Sequence, residues 1–242
     1  MTLGARRHRL LALRQFLRWA VRTARLHTDP TECLRVPRAA QRLPRAILTL
    51  AEAERILARP DVSRPLGLRD RAMLELLFSC GLRRMEVIAL DLGDLDLHRR
   101  LLFVREGKGR RDRVVPVSAR ACDWLARYLA DARPQLLREL GSPALFVGLR
   151  RRRIARTQMG NQLRAYLVGA GVCKPGACHI WRHTVATLMH DGGADIRDLQ
   201  QLLGHADLST TAIYTRVSVL RLAEVHRRTH PAYANHVLGH CA

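Results

Sequence analysis

In the segment HIWRHT, His179, Arg182 and His183 stand at i, i+3 and i+4, so on a helix they share one face. Downstream, Gly204 closes the periodic stretch 195–203 in the manner of a left-handed helix cap, and His205 follows at once. ADLSTT then opens a further segment carrying Tyr214. Upstream, CGLRRMEVIAL sets Arg83 just past Gly81 at a helix start, and EGKGRR sets Lys108 in a Gly-rich turn. Lys108 and Lys174 are the only lysines among 42 Lys and Arg residues; the other 40 are arginine. An ammonium can release its proton at useful pH whereas a guanidinium cannot, so Lys108 is the candidate proton donor. Lys174, beside Pro175 and Gly176, reads as a loop residue.

Taken singly, each of these residues has a plainer reading. A helical Tyr is usually a core residue or a surface hydroxyl, and His205 can simply bond to a helix terminus. Arg83 and Arg182 can be ion-pair partners of acids such as Glu86, and a hairpin Lys is most often solvated. A zinc site can be sketched from His179, His183, Cys173 and Cys178. The C-x4-C spacing falls outside the usual structural range and no second Cys pair follows, so no metal or cofactor is expected. Together the residues suit metal-free phosphoryl transfer. Two guanidiniums grip non-bridging phosphate oxygens. A tyrosine with its proton removed attacks phosphorus, and a lysine protonates the departing sugar oxygen.

The elements that must position them follow from periodicity. Residues 6–27 place Leu10, Leu13, Phe16, Leu17, Ala20, Val21 and Ala24 at helical spacing, with arginines opposite. The next stretch holds Pro30, Pro37 and Pro44 and reads as a linker. Thr49 with Glu52 predicts a capping box opening a helix through Leu57. Helices are expected over about 68–80, ended by Gly81, and 84–90. A hairpin of strands 101–105 and 112–117 surrounds the Gly-rich turn. Helices resume at about 119–131, 157–170, 180–191, 195–203, 209–216 and 218–228, with a possible short strand at 145–147. The fold class is mainly α with a small antiparallel sheet, an α+β domain preceded by one basic helix. The Arg150–Arg153 run reads as a solvated loop touching phosphates.

With 242 residues, 48% hydrophobic and 26% charged, the chain can bury a sizeable core. Its formal net charge of +21 points to a polyanionic partner. Basic residues run throughout instead of forming one terminal amphipathic segment, which favours nucleic acid over a membrane surface. No apolar run reaches the ~18–20 residues of a membrane span. Arginines stand where a signal peptide would need apolar residues, and the six cysteines are scattered, so a cytoplasmic protein is expected.

The combination resembles the tyrosine recombinase/phage integrase family, the group of Xer recombinases and integron integrases. The match runs from about Leu43 to Pro231. GLRRMEVIAL is similar to the G-L-R-x-x-E-L box with its first catalytic arginine, Arg83. GKGRRDRVVPV resembles the hairpin of the catalytic lysine, Lys108. HIWRHT resembles the H-x-L-R-H-T box, with His179 and Arg182. LLGHADLSTTAIYTRV resembles the stretch holding His205 and the nucleophile Tyr214. The resemblance implies that Tyr214 forms a 3′-phosphotyrosyl link and frees a 5′-hydroxyl. Arg83 and Arg182 then hold the phosphate, Lys108 protonates the leaving oxygen, and His179 and His205 assist proton transfer. It implies site-specific strand exchange on double-stranded DNA (integration, excision or transposition by a mobile element) without ATP or metal. It further implies a homo-tetramer in which the helix at about 218–228 docks on a neighbour.

By the same resemblance, residues 1–43 are a partial, truncated core-binding domain with its Pro-rich linker, 44–231 the catalytic domain and 232–242 a tail. Trp181 stands where the family has Leu and Met85 where Ser is common; neither side chain does chemistry. The competing readings are a recombination-deficient DNA-binding remnant or regulator that keeps the catalytic fold, and a topoisomerase-like relaxing enzyme.

Overall fold

The computed structural model describes residues 3–32, 34–36, 46–105, 112–137, 142–150, 152–204 and 215–234. The chain forms two compact units, Met1–Leu43 and Pro44–Ala242. Lys108, His205, Tyr214 and most of the helix expected at 209–216 lie outside the described residues. No helix among the described residues is long and apolar enough to cross a membrane.

The first unit is one helix, α1 (Leu3–Arg22), with a turn folded back on it. The apolar period runs on to Ala24, but the helix stops at Arg22. The amides of Arg25 and Leu26 both bond the Ala20 carbonyl, and Ala24 takes φ +55°. A left-handed Ala costs ~1–2 kcal/mol, and no glycine advertises the stop. The start of the Pro-rich stretch is held by Arg14 on the Thr31 carbonyl at 3.1 Å and Arg18 on Asp29 at 3.3 Å.

The second unit begins with α2 (Leu50–Leu57), opened by the expected capping box. The Thr49 amide bonds Glu52 Oε2 at 2.7 Å, and the Glu52 amide bonds the Thr49 hydroxyl at 3.2 Å. Lys174, a loop residue as read, adds a clamp: its Nζ reaches the Ile47 carbonyl at 2.7 Å and Glu52 at 2.5 Å. Central to the domain is α3 (Pro65–Cys80), which starts three residues before the expected Leu68 because Pro65 suits a first helical turn. It is buried on nearly every side, so its charged residues need partners. Asp70 takes bonds from Arg69 and from the Tyr166 hydroxyl at 2.7 Å. Glu75 is held by Arg71 and Arg120. Gly81 ends the helix at φ +59°.

Next come α4 (Arg84–Ala89) and a three-stranded antiparallel sheet, β1 (Leu95–Asp96), β2 (Leu101–Val104) and β3 (Arg113–Pro116), in that order. Leu102 pairs with Val115, and Val104 with Arg113. The helix expected at 119–131 is α5 (Ala119–Arg127), a wide turn (Tyr128–Ala132) and α6 (Arg133–Leu136). The wide turn lies just before Pro134, which has no N–H for the helical ladder.

Residues 145–147 do not form the expected strand; Ala144 and Val147 make only isolated bridges, to Asp91 and Arg153. The Leu145 amide bonds the Leu90 carbonyl and the Phe146 carbonyl takes the Ile154 amide, while side chains take neighbouring carbonyls. Tyr128 donates to the Leu145 carbonyl, Arg133 to Ala144 and Arg69 to Val147. The adjacent arginine run is also not simply a solvated loop. Arg153 donates to the carbonyls of Ile88 at 2.8 Å and Leu90 at 2.9 Å and pairs with Asp91, so it is a structural clamp.

The domain is completed by α7 (Arg156–Gly169), α8 (His179–Asp191), α9 (Ile196–Leu203), α10 (Thr215–Thr229) and α11 (Pro231–Ala234). Within the chain, α10, which covers the helix expected at about 218–228, packs on α8, α9 and β3. Leu222 is buried there, and two buried histidines one turn apart cap the end of α3. His226 Nε2 bonds the Ser79 carbonyl at 2.6 Å, and His230 Nε2 bonds the Phe78 carbonyl at 2.5 Å. These are carbonyls a helix end leaves without intrahelical partners.

Burial pushes the His226 imidazole down to about 4, against the opposing effect of its Ser79 bond, and holds His230 well below its ordinary value. Both are therefore neutral in the fold, whereas the unfolded chain takes up protons near pH 6.5. Their contribution is complete above that pH and shrinks as pH falls below it, that of His226 being lost as pH approaches 4. For His226 alone the loss at pH 5 is about 2 kcal/mol. The thermal midpoint should fall between pH 7.5 and pH 5, and fall less in His226→Gln, whose amide still donates but does not titrate. Equal slopes in the two proteins would contradict this account.

Candidate active site

Two glycine-capped helix ends build the site. Gly81 ends α3, and Gly204, at φ +65°, ends α9. The two ends are close: a Cβ on Gly81 would stand 2.8 Å from Leu203 Cδ2. The last carbonyls of α9 form the negative end of its dipole, and three arginines far apart in sequence converge on them. Arg113 Nε donates to the Leu202 carbonyl at 3.0 Å, Arg182 Nη2 to Leu203, and Arg83 Nη2 to Gly204 at 2.8 Å. Arg182 also bonds the Gly81 carbonyl at 3.0 Å and so ties both helix ends together.

Glu86 organises the arginines. Its Oε2 accepts the Arg83 amide at 2.8 Å, and its Oε1 accepts Arg83 Nη1 at 2.7 Å. Arg113 spans the same carboxylate, with Nη1 to Oε1 at 3.1 Å and Nη2 to Oε2 at 2.9 Å. Burial alone would raise the Glu86 carboxyl, but the bonds and charge of Arg113, then the hydrogen bonds of Arg83, hold it down at about 2. Two guanidiniums thus share one ionised carboxylate, and a third, that of Arg182, bonds the adjoining Leu203 carbonyl. The excess positive charge suits a phosphate ligand.

His179, Arg182 and His183 all lie on α8, as their spacing requires. Arg182 is buried, and both histidines are exposed. Partial enclosure, then the neighbouring His179 and Arg182, lower the His183 imidazole, so it is mostly neutral at pH 7. Trp181 turns the other way and lies fully buried, edge-on to Phe78 with ring centroids 5.8 Å apart. Met85 is exposed. Among the described residues no three His, Cys, Asp or Glu side chains gather as metal ligands. The buried Cys178 thiol is pushed up to about 11 by burial, which disfavours the thiolate a metal would need.

The structure therefore brings Arg83 and Arg182 together at the α9 terminus that His205 follows. Sequence reasoning took Glu86 only as an ion-pair partner, a role it does fill, and did not single out Arg113. A signal for Arg113 was present: strand alternation places it on the face of the buried Val115 and Val117.

Residues 46–221 match the model of the phage integrase family. The chain belongs to the phage integrase family. It is 49% identical over 232 residues to the tyrosine recombinase XerC 2 of Ralstonia nicotianae, a match that covers 96% of this chain and 67% of that protein. Among solved structures it resembles the XerA recombinase, with a TM-score of 0.61, 28% identity, and coverage of 90% of this chain and 83% of that one. It also resembles the XerH site-specific recombinase bound to its palindromic difH substrate after cleavage. There the TM-score is 0.61 and the identity 25%, over 79% of this chain and 55% of that one. A phage integrase family member with these relatives is a tyrosine site-specific recombinase, an enzyme of DNA recombination. The α+β architecture expected from the sequence is that of the XerA chain.

Proposed function

We propose that the protein exchanges DNA strands through a 3′-phosphotyrosyl intermediate on Tyr214. Arg83 and Arg182 grip the scissile phosphate, and their oxygens-to-guanidinium bonds strengthen as negative charge builds on the phosphorane. Lys108 protonates the departing 5′-oxygen. His179 and His205 assist proton transfer and hydrogen-bond the transition state. The freed 5′-hydroxyl of a partner duplex then attacks the phosphotyrosyl phosphorus and expels the tyrosine, so no external energy source is required.

The observation that carries the reading is the convergence of Arg83 and Arg182 on consecutive carbonyls, Gly204 and Leu203, immediately before His205. Double-stranded DNA as partner is supported by the net charge of +21 and by the DNA-bound state of the XerH relative. On this reading the protein is cytoplasmic, residues 1–43 contribute to the DNA clamp, 44–231 hold the chemistry and 232–242 are a tail. It works as a homo-tetramer on DNA. The Leu222 and His226 face of α10, buried in its own domain, is not the surface that meets a neighbour.

A duplex nicked next to the recombination site, so that the released fragment diffuses away, tests the function. Incubation in chelator and without nucleotide should give a detergent-resistant protein–DNA complex and a free 5′-hydroxyl end. Release of a 3′-hydroxyl end, or a requirement for added metal, would overturn the mechanism.

A further inference from the structure

Glu86 presents a problem for the site just described. A carboxylate 2.7 Å from Arg83 offsets the very charge that Arg83 must bring to a phosphate. A one-to-one Arg83–Glu86 pair is neutral overall, and its carboxylate would repel an approaching phosphodiester. We propose that Arg113 is a positioning residue that offsets the Glu86 charge, so that the Arg83–Glu86–Arg113 group presents net positive charge to the scissile phosphate. The inference rests on the strand-exchange reading above.

The geometry separates the two arginines by role. The Arg113 side chain is 9% exposed and the Arg83 side chain 24%, so Arg113 is the more enclosed of the two and Arg83 the more open to a ligand. Arg113 meets both carboxylate oxygens, a fork that matches a carboxylate in the plane. Its remaining Nε is spent on the Leu202 carbonyl, which fixes the fork's direction. The close approach to α9 is possible because residue 204 is glycine: a Cβ there would stand 2.9 Å from Arg113 Nη1. Arg113 is also the β3 residue paired with Val104, the last described pair before the stretch of sequence that contains Lys108. Lysine at this position would restore the charge but not the fork, because it is a compact point charge.

A neutral scissile group separates a charge role from a merely structural one. Replacing a non-bridging phosphate oxygen by methyl removes the negative charge that Arg83 must meet. Single-turnover cleavage is measured on nicked duplexes carrying either the phosphodiester or the methylphosphonate at the scissile position. Arg113→Met should slow phosphodiester cleavage by roughly 10- to 100-fold relative to the unaltered protein, less than removing a direct transition-state donor. On the methylphosphonate its deficit should shrink to about 3-fold or less, with Arg113→Lys intermediate on the phosphodiester. An equal deficit on both substrates, or none on either, overturns the assignment. Should Arg113→Met fail to fold, as a melting curve reveals, the same ratio read on the equally neutral Arg113→Gln decides. Absence of phosphodiester cleavage by the unaltered protein would instead defeat the strand-exchange reading itself.

Discussion

Arg182→Ala should slow strand cleavage by about 10³-fold or more, because it deletes a preorganised donor aimed at the transition-state charge. It should also destabilise the domain. The side chain is buried and serves the carbonyls of Gly81 and Leu203, the ends of two helices. Leaving such groups without donors costs about 1–3 kcal/mol each. Single-turnover cleavage and a melting curve separate the two effects. Arg182→Lys should recover part of the stability and little of the rate, since an ammonium cannot reach two carbonyls and a phosphate as a planar fork does. Cleavage by a folded Arg182→Ala within tenfold of the unaltered protein would reduce Arg182 to a helix cap.

Lys108→Ala should lose roughly 10²- to 10⁴-fold in rate, the usual range for a positioned general acid. The deficit should nearly vanish on a substrate whose bridging 5′-oxygen is replaced by sulfur, because a thiolate leaves without protonation. Arg182→Ala should gain nothing comparable on that substrate. A Lys108→Ala deficit that persists with the sulfur leaving group would assign Lys108 to phosphate binding instead. Lysine at 108 in a chain otherwise rich in arginine fits the proton role, since guanidinium does not give up its proton in the working pH range.

Local chemistry made much of the fold legible. The Thr49 and Glu52 pair opens α2, the glycines at 81 and 204 close α3 and α9, and alternation around the Gly-rich turn gives β2 and β3. Each signal lies within a few residues of what it specifies. What escaped the sequence depends on distant partners. Nothing near Arg153 shows that it clamps the Ile88 and Leu90 carbonyls, and nothing near residues 144 and 145 shows that Arg133 and Tyr128 take their carbonyls. The end of α1 rests on a left-handed Ala24, a conformation that alanine does not announce.

The site divides along the same line. Residue types and helical spacing placed His179, Arg182 and His183 on one face, and a glycine placed Arg83 at a helix start. The convergence of Arg83, Arg113 and Arg182 on the α9 carbonyls joins segments about 20 to 120 residues apart. Forty arginines also hide which three matter. The histidines at 226 and 230 show the same limit. Nothing near them in the sequence shows that they cap α3, where two carbonyls need donors.

The account turns on the residue that carries the DNA. The complex trapped on a nicked duplex should be digested with protease and nuclease, and the nucleotide-bearing peptide sequenced by mass spectrometry. A 3′-linked nucleotide phosphate on Tyr214, with no adduct formed by Tyr214→Phe, is the predicted result. A nucleotide on any other residue, or an undiminished adduct in Tyr214→Phe, would contradict the mechanism.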